Sequence, residues 1–317
     1  MKNISILGST GSIGVNALNV IDNLADKFNV KALSAYKNSN VLIEQAKKYQ
    51  PETIAIVDSS RVDFVKESLK DSAISVLHGR EGLLELSSRS DVDIMLNSLV
   101  GSSGMEPTIN AIRSSVDIAL SNKESLVMAG DIIDKEKNKY GAKIFPVDSE
   151  HSAIWQCLAG ERIDNVEKII LTGSGGPFRT RDISTFSDIK KEEALDHPNW
   201  SMGNKITIDS ATMMNKGLEV IETKWLFGVN EDKIKIIVHP ESIIHSMVEF
   251  KDKSVLRIYC TNWTLETEKK RGFFRSPSAT LFFRRIWLKR CMVFNDGSVV
   301  SYFPSGSPFC KRFQASV

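Results

Sequence analysis

Two rhythms of apolar residues run through the first 147 positions. Short apolar runs recur at 4–7, 30–35, 53–57, 74–77, 94–96, 116–120 and 143–147. Between them, at 41–49, 61–69, 81–88, 105–113 and 125–139, stand stretches that read as helices, and after the first run Ala17, Leu18, Val20, Ile21 and Leu24 trace one helical face. Strand and helix taking turns predicts an α/β class: a doubly wound, mostly parallel sheet.

Beyond position 147 the pattern predicts a helix over 151–158, a strand over 169–172 and a helix over 209–225. The last opens on Asp209 and Ser210, whose oxygens suit an N-cap, and runs without proline to Trp225. Met213, Met214, Leu218, Ile221 and Trp225 form its apolar stripe, and Asn215, Lys216, Glu219 and Glu222 fall on another side. Taken alone, that polar side reads as a solvated face with an i,i+3 Lys–Glu pair.

The composition, 42% hydrophobic and 25% charged over 317 residues, is that of a globular protein with room for two cores, which excludes disordered and collagen-like classes. No apolar run reaches the roughly 18 residues of a membrane span, and the chain opens at once on a strand, so neither membrane attachment nor a signal or transit peptide is expected. Cysteines at 157, 260, 291 and 310 lack metal or disulfide-framework spacing, which points to free thiols in a reducing, cytoplasmic setting. The net charge of +2 hides a split: residues 255–317 hold 11 of the 41 Lys and Arg but 3 of the 39 Asp and Glu, a net +8 against −6 for the rest. That stretch also holds 12 of the 25 aromatic residues.

Candidate chemistry gathers at strand ends. Gly8-Ser9-Thr10-Gly11-Ser12-Ile13-Gly14 joins the first strand to a helix N-terminus, where backbone N–H groups and the helix dipole favour a phosphate; a turn used only for tight packing would look the same. The second strand ends without the carboxylate that binds the ribose 2′-OH of NAD. Ser34, Lys37 and Asn38 stand there instead, which suits the 2′-phosphate of NADPH, although Lys37 also fits a solvated loop. Asn97 to Gly101 and Ser121, Asn122, Lys123 and Glu124 follow strands and should face the cofactor; Lys123 equally fits a surface residue in a first helical turn. If extended backbone persists through Asp148, Ser149 and Glu150, both carboxylates point one way, as a hard divalent cation requires; helix capping is the alternative. Gly173-Ser174-Gly175-Gly176 reads as an anion-binding concavity, and His197-Pro198-Asn199-Trp200-Ser201-Met202-Gly203 as a lid or an ordinary loop anchor. His78, His151, His239 and His245 read as structural.

These motifs, in this order and spacing over about residues 1–254, resemble the 1-deoxy-D-xylulose 5-phosphate reductoisomerase family. The resemblance implies a Rossmann-like NADPH domain at 1–147 and an α+β catalytic domain at 148–254, with NADPH and Mn²⁺ or Mg²⁺ as cofactors. It implies Asp148, Glu150 and Glu219 as metal ligands, Lys123 and Glu150 as catalytic groups, and Ser174, Ser210, Asn215 and Lys216 around the substrate phosphate. Ser149, His197 and Trp200 would touch substrate. Gly8, Thr10, Gly11, Ser12, Ile13, Lys37, Asn38, Asn122, Glu124, Met202 and Gly203 would serve the cofactor, with Trp200 and Met202 on a flap. A homodimer acting on a small phosphorylated sugar, with no nucleic acid or membrane partner, is expected.

After position 254 the resemblance ends. The family's C-terminal helical domain is missing or replaced by the basic, aromatic stretch 255–317; a shifted reading frame is the simplest account of so abrupt a change, and a genuine basic arm, with cations and aromatics mixed over 284–290, is the alternative. The alternative function is a truncated, catalytically impaired NADPH-binding product.

Overall fold

The computed structural model describes residues 1–24, 26–196, 203–259, 291–295 and 298–302. The chain divides into two compact units that meet in sequence between Asp148 and Ser149.

The first unit alternates as its pattern predicts: β1 (Lys2–Leu7), α1 (Ser12–Asp22), β2 (Phe28–Ala35), α2 (Ser39–Tyr49), β3 (Thr53–Ile56), α3 (Val62–Ser68), β4 (Ser75–His78), α4 (Gly79–Ser87), β5 (Ile94–Asn97), α5 (Met105–Arg113), β6 (Asp117–Leu120), α6 (Lys123–Tyr140) and β7 (Ile144–Pro146). The seven strands lie in the order β4-β3-β2-β1-β5-β6-β7, every neighbouring pair parallel. Every residue of β3 and β5 is buried, the condition of a sheet covered on both faces, which is why these strands read as unbroken apolar runs. The strand order reverses at β1, so the turns after β1 and β5 open side by side at one end of the sheet, where such folds bind ligands.

The second unit carries α7 (Ser149–Cys157), β8 (Val166–Gly173), α8 (Lys191–Leu195), α9 (Asn204–Ala211), α10 (Met214–Phe227), β9 (Ile234–Val238), β10 (Ile244–Phe250), β11 (Val255–Tyr259), β12 (Cys291–Asn295) and β13 (Ser298–Tyr302). Its sheet runs β13-β12-β11-β10-β8-β9; β8 and β9 are parallel and the other pairs antiparallel, an α+β arrangement. Ala153, Ile154 and Cys157 of α7 pack in one core with Ile169, Leu171, Val248, Phe250 and Ile258. The sheet runs on past position 254: β11 pairs with β10, Glu249 opposite Val255 and Val248 opposite Leu256.

Two sequence expectations are corrected here. The stretch 209–225 is not one helix: α9 ends at Ala211, Met213 takes a left-handed φ of +61°, and α10 starts at Met214. Asp209 and Ser210 therefore close one helix instead of capping the next. Short polar side chains near such a junction bond to local backbone, and the Thr212 hydroxyl accepts the Met214 N–H at 3.4 Å. Nor does extended backbone persist through 148–150. Helix α7 already includes Ser149 and Glu150, so the two-residue strand repeat does not align Asp148 with Glu150.

Candidate active site

In the first unit the turn after β1 is shaped by its glycines. Gly8 has φ +79°, a conformation that side chains resist, and Gly14 brings α1 so close that a Cβ there would lie 2.5 Å from the Gly8 carbonyl oxygen. The Gly11 N–H donates to the Gly8 carbonyl at 3.0 Å, and α1 begins behind Gly11, which has no side chain to satisfy the first helical N–H groups. A helix start of this form takes an anion, and Thr10, Gly11, Ser12 and Ile13 stand around it. Ser34 is not a cofactor donor: it is buried, and its hydroxyl accepts the Gly8 N–H at 3.1 Å. Lys37 and Asn38 are exposed, Asn38 also accepting the Val41 N–H at 3.5 Å.

The strand ends at β5 and β6 are tied together by amides. Asn122 caps α6 through the Ser125 N–H at 3.0 Å and donates to the Leu99 and Gly101 carbonyls, both at 2.9 Å, and to Glu124 at 3.3 Å. Lys123 sits in the first turn of α6, where the helix dipole disfavours a cation, yet it is buried. Asp148 compensates, its carboxylate 2.8 Å from the Lys123 ammonium. A buried cation held against the dipole is not a surface residue, which removes that reading of Lys123.

In the second unit α10 presents to the interior the side that its sequence assigns to solvent. Lys216, at 5%, and Glu219, at 1% relative exposure, are buried with Glu222, while Met214 and Ile221 of the apolar stripe are 56% and 38% exposed. The Lys216 ammonium lies 2.5 Å from Glu219 and 3.6 Å from Glu150, and Asn215 donates to the other Glu219 oxygen at 2.6 Å. Ser149 donates to Glu150 at 2.5 Å, and His245 of β10 stands 3.8 Å from the same carboxylate. Glycines make the approach feasible: a Cβ at Gly173 would fall 2.9 Å from the Lys216 side chain, and one at Gly176 2.7 Å from the Ser210 carbonyl. Ser174 on the Gly173–Gly176 turn, Ser210 near the end of α9 and Asn215 beside Lys216 are half-buried, and they are the donor types an oxyanion needs. Glu150 and Glu219 turned toward one ammonium are oxygen donors of the kind that hard divalent cations take.

Behind these carboxylates is a pair that periodicity missed. His151 contacts the Glu219 carbonyl and the Thr223 hydroxyl, each at 3.0 Å, through one ring nitrogen, and Glu222 at 3.3 Å through the other. Glu222, which periodicity places on the polar side of the helix, is thus an interior partner of His151, and the ring bridges α7 to α10. The only sequence signal was His151 beside Glu150. Gly203 precedes α9 and is exposed; His197, Trp200 and Met202 lie outside the described residues. Among the described residues no helix is long and apolar enough to cross a membrane.

Residues 4–130 match the family model described as 1-deoxy-D-xylulose 5-phosphate reductoisomerase, and residues 144–227 the model of that enzyme's C-terminal domain. A reductoisomerase of that name from Chloroherpeton thalassium is 54% identical over 255 residues, 80% of this chain and 66% of that protein; one from Bacteroides thetaiotaomicron is 52% identical over 254 residues, 80% and 65%. The chain thus spans just under two thirds of these relatives' length. A crystal structure of DOX-P reductoisomerase in complex with NADPH, fosmidomycin and magnesium superposes with TM-score 0.78 at 34% identity, covering 96% of this chain and 76% of that one. The Zymomonas mobilis enzyme in complex with NADPH gives TM-score 0.80 at 36% identity, covering 94% and 73%.

Proposed function

This chain belongs to the 1-deoxy-D-xylulose 5-phosphate reductoisomerase family, and from that premise we propose that it converts 1-deoxy-D-xylulose 5-phosphate to 2-C-methyl-D-erythritol 4-phosphate with NADPH and Mn²⁺ or Mg²⁺. Residues 1–147 serve the cofactor and 148–254 the metal and substrate. Gly8, Thr10, Gly11, Ser12 and Ile13 take the NADPH pyrophosphate, Lys37 and Asn38 its 2′-phosphate, and Asn122, Glu124, Met202 and Gly203 its remaining contacts. Asp148, which ends the first unit two residues before Glu150, joins Glu150 and Glu219 as a metal ligand.

A divalent cation held by Asp148, Glu150 and Glu219 would supply Lewis acidity, and NADPH on the 8–14 turn would supply the hydride. The protein's residues bind and orient. Ser174, Ser210, Asn215 and Lys216 grip the phosphate, a remote handle whose binding energy is available to close the Trp200 and Met202 loop and exclude water. Ser149 and His197 contact the substrate nearby. Lys123 and Glu150 are the catalytic groups, Lys123 adding positive charge where enolate charge grows. A homodimer in the cytoplasm is the assembly and setting we assign.

The observation that carries this reading is the convergence of half-buried Glu150 with buried Lys216 and Glu219 beside the Gly173–Gly176 turn. NADPH oxidation by the purified chain with 1-deoxy-D-xylulose 5-phosphate and Mn²⁺ tests it, with Glu219→Gln expected to lower turnover by about a hundredfold or more. Folded chain that binds NADPH but shows no substrate-dependent oxidation overturns the reading.

A further inference from the structure

Helix α2 buries Leu42, Ile43 and Ala46 against the sheet, and among them it buries Gln45, 8% exposed. A primary amide in an apolar layer costs free energy unless both of its ends are bonded. Both are bonded, and to one residue: the Gln45 amide N–H donates to the Ser9 carbonyl at 2.9 Å, and the Gln45 oxygen accepts the Ser9 hydroxyl at 2.7 Å. Ser9 is fully buried, and its backbone N–H donates to the Ser34 carbonyl at 2.8 Å. The next residue back, Gly8, is held by the Ser34 hydroxyl at 3.1 Å and by Ser98, whose hydroxyl donates to the Leu7 and Gly8 carbonyls at 2.6 and 3.2 Å. Side chains from α2, β2 and the β5 end thus grip the turn from beneath, at the residue where it leaves the strand. The segment that follows, Thr10 to Ile13, is the one read above as the pyrophosphate site.

We propose that Gln45 is a positioning residue for the phosphate-binding turn: its two-bond clamp on Ser9 holds the 8–14 backbone in the shape that receives the cofactor pyrophosphate. The inference rests on the reading of this turn as the NADPH pyrophosphate site. A turn ordered before binding leaves less conformational entropy to be lost when the ligand arrives, so the clamp acts on affinity without touching the ligand. No bond of the clamp reaches the adenosine end of the site, at Lys37 and Asn38, so a ligand lacking the pyrophosphate should be indifferent to it.

Gln45→Met keeps the length and apolar packing of the side chain and removes both bonds; Ser9→Ala keeps the bond to the Ser9 carbonyl and removes the hydroxyl, whose single hydrogen is shared between Gln45 at 2.7 Å and the Ser34 carbonyl at 3.2 Å. For the whole 317-residue chain, NADPH binding followed by fluorescence should weaken about tenfold in Gln45→Met and about threefold in Ser9→Ala, the losses expected for two and one neutral hydrogen bonds. Binding of 2′-AMP, which has no 5′-phosphate, should stay unchanged in both. Amide hydrogen exchange across residues 8–14 of the ligand-free chain should speed up in Gln45→Met while that of β3 and β5 does not. Unchanged NADPH affinity, a parallel loss of 2′-AMP, or unchanged exchange at 8–14 each overturns the proposal. If the unmodified chain itself binds no NADPH, the cofactor reading fails, and the exchange comparison still decides whether Gln45 orders the turn.

Discussion

The two units build their candidate sites from opposite materials. In the first, the turn after β1 is made of backbone: consecutive residues, glycines where a Cβ would collide, and a helix start. In the second, the cluster is made of side chains from separated elements: Glu150 from α7, Lys216 and Glu219 from α10 and His245 from β10. A backbone site depends on shape and loses function through added atoms, whereas a buried charge cluster depends on mutual neutralisation and loses stability through removed ones.

The sharpest way to break this contrast is Lys216→Met. It keeps the aliphatic volume against Gly173 and leaves Glu219 buried without its ammonium, so we expect a loss of about 3–5 kcal/mol in urea unfolding. Adding Glu219→Leu should restore much of that loss, because an apolar pair needs no compensation. A loss under about 1 kcal/mol for Lys216→Met alone would show that the cluster tolerates an unpaired carboxylate, placing it closer to surface charge.

The next effect belongs to the first unit. Gly14→Ala places a methyl group 2.5 Å from the Gly8 oxygen and the Ser9 Cα, both backbone, so neither can rotate away. Overpacking of that kind costs about 1–3 kcal/mol. Gly11→Ala is the control, since its Cβ would lie 3.4 Å from the Gly8 oxygen, near ordinary contact. Equal thermal melting of the two variants would mean that the turn yields easily, and the idea of a shape-determined site would fall.

The same contrast explains what could be read in the sequence. Strand–helix alternation and the Gly8–Gly14 spacing are local, so the first unit and its turn were legible residue by residue. Lys123 was not, because its meaning depends on Asp148, twenty-five positions later and across a strand. The α10 reading failed for a physical reason: periodicity separates two faces of a helix but says nothing of which is covered. Here the Met214 and Ile221 side is the more exposed one, and the charged side is buried because Glu150, Asn215 and His151 satisfy it. The break at Met213 also escaped notice, since a methionine in left-handed backbone has no composition signal comparable to glycine's.

The smallest effect tests whether the first unit's own charges behave like surface charges. Arg89 donates to Asp91 at 2.5 and 2.9 Å, to Glu52 at 2.6 Å and to Thr53 at 2.8 Å, and Lys31 also pairs with Glu52. The hydrogen bond from Arg89 holds the Asp91 carboxyl below its usual range, and Lys31, then Arg89, do the same to Glu52. A carboxyl depressed in the folded state takes up protons first in the unfolded chain. Its contribution is therefore complete above the unfolded value of about 4 and lost as pH falls through the lower folded one. The Asp91 and Glu52 side chains are 45% and 52% exposed, so solvent screening holds the contribution to about 0.5 kcal/mol each or less. Urea unfolding of the chain and of Arg89→Met should accordingly differ by under about 1 kcal/mol at pH 7, with the difference shrinking as pH falls below the unfolded value of about 4. A difference that is constant across that window would mean Arg89 acts through the packing of its stem. One that exceeds the Lys216→Met loss would reverse the ranking of buried over exposed charge on which the contrast between the two units stands.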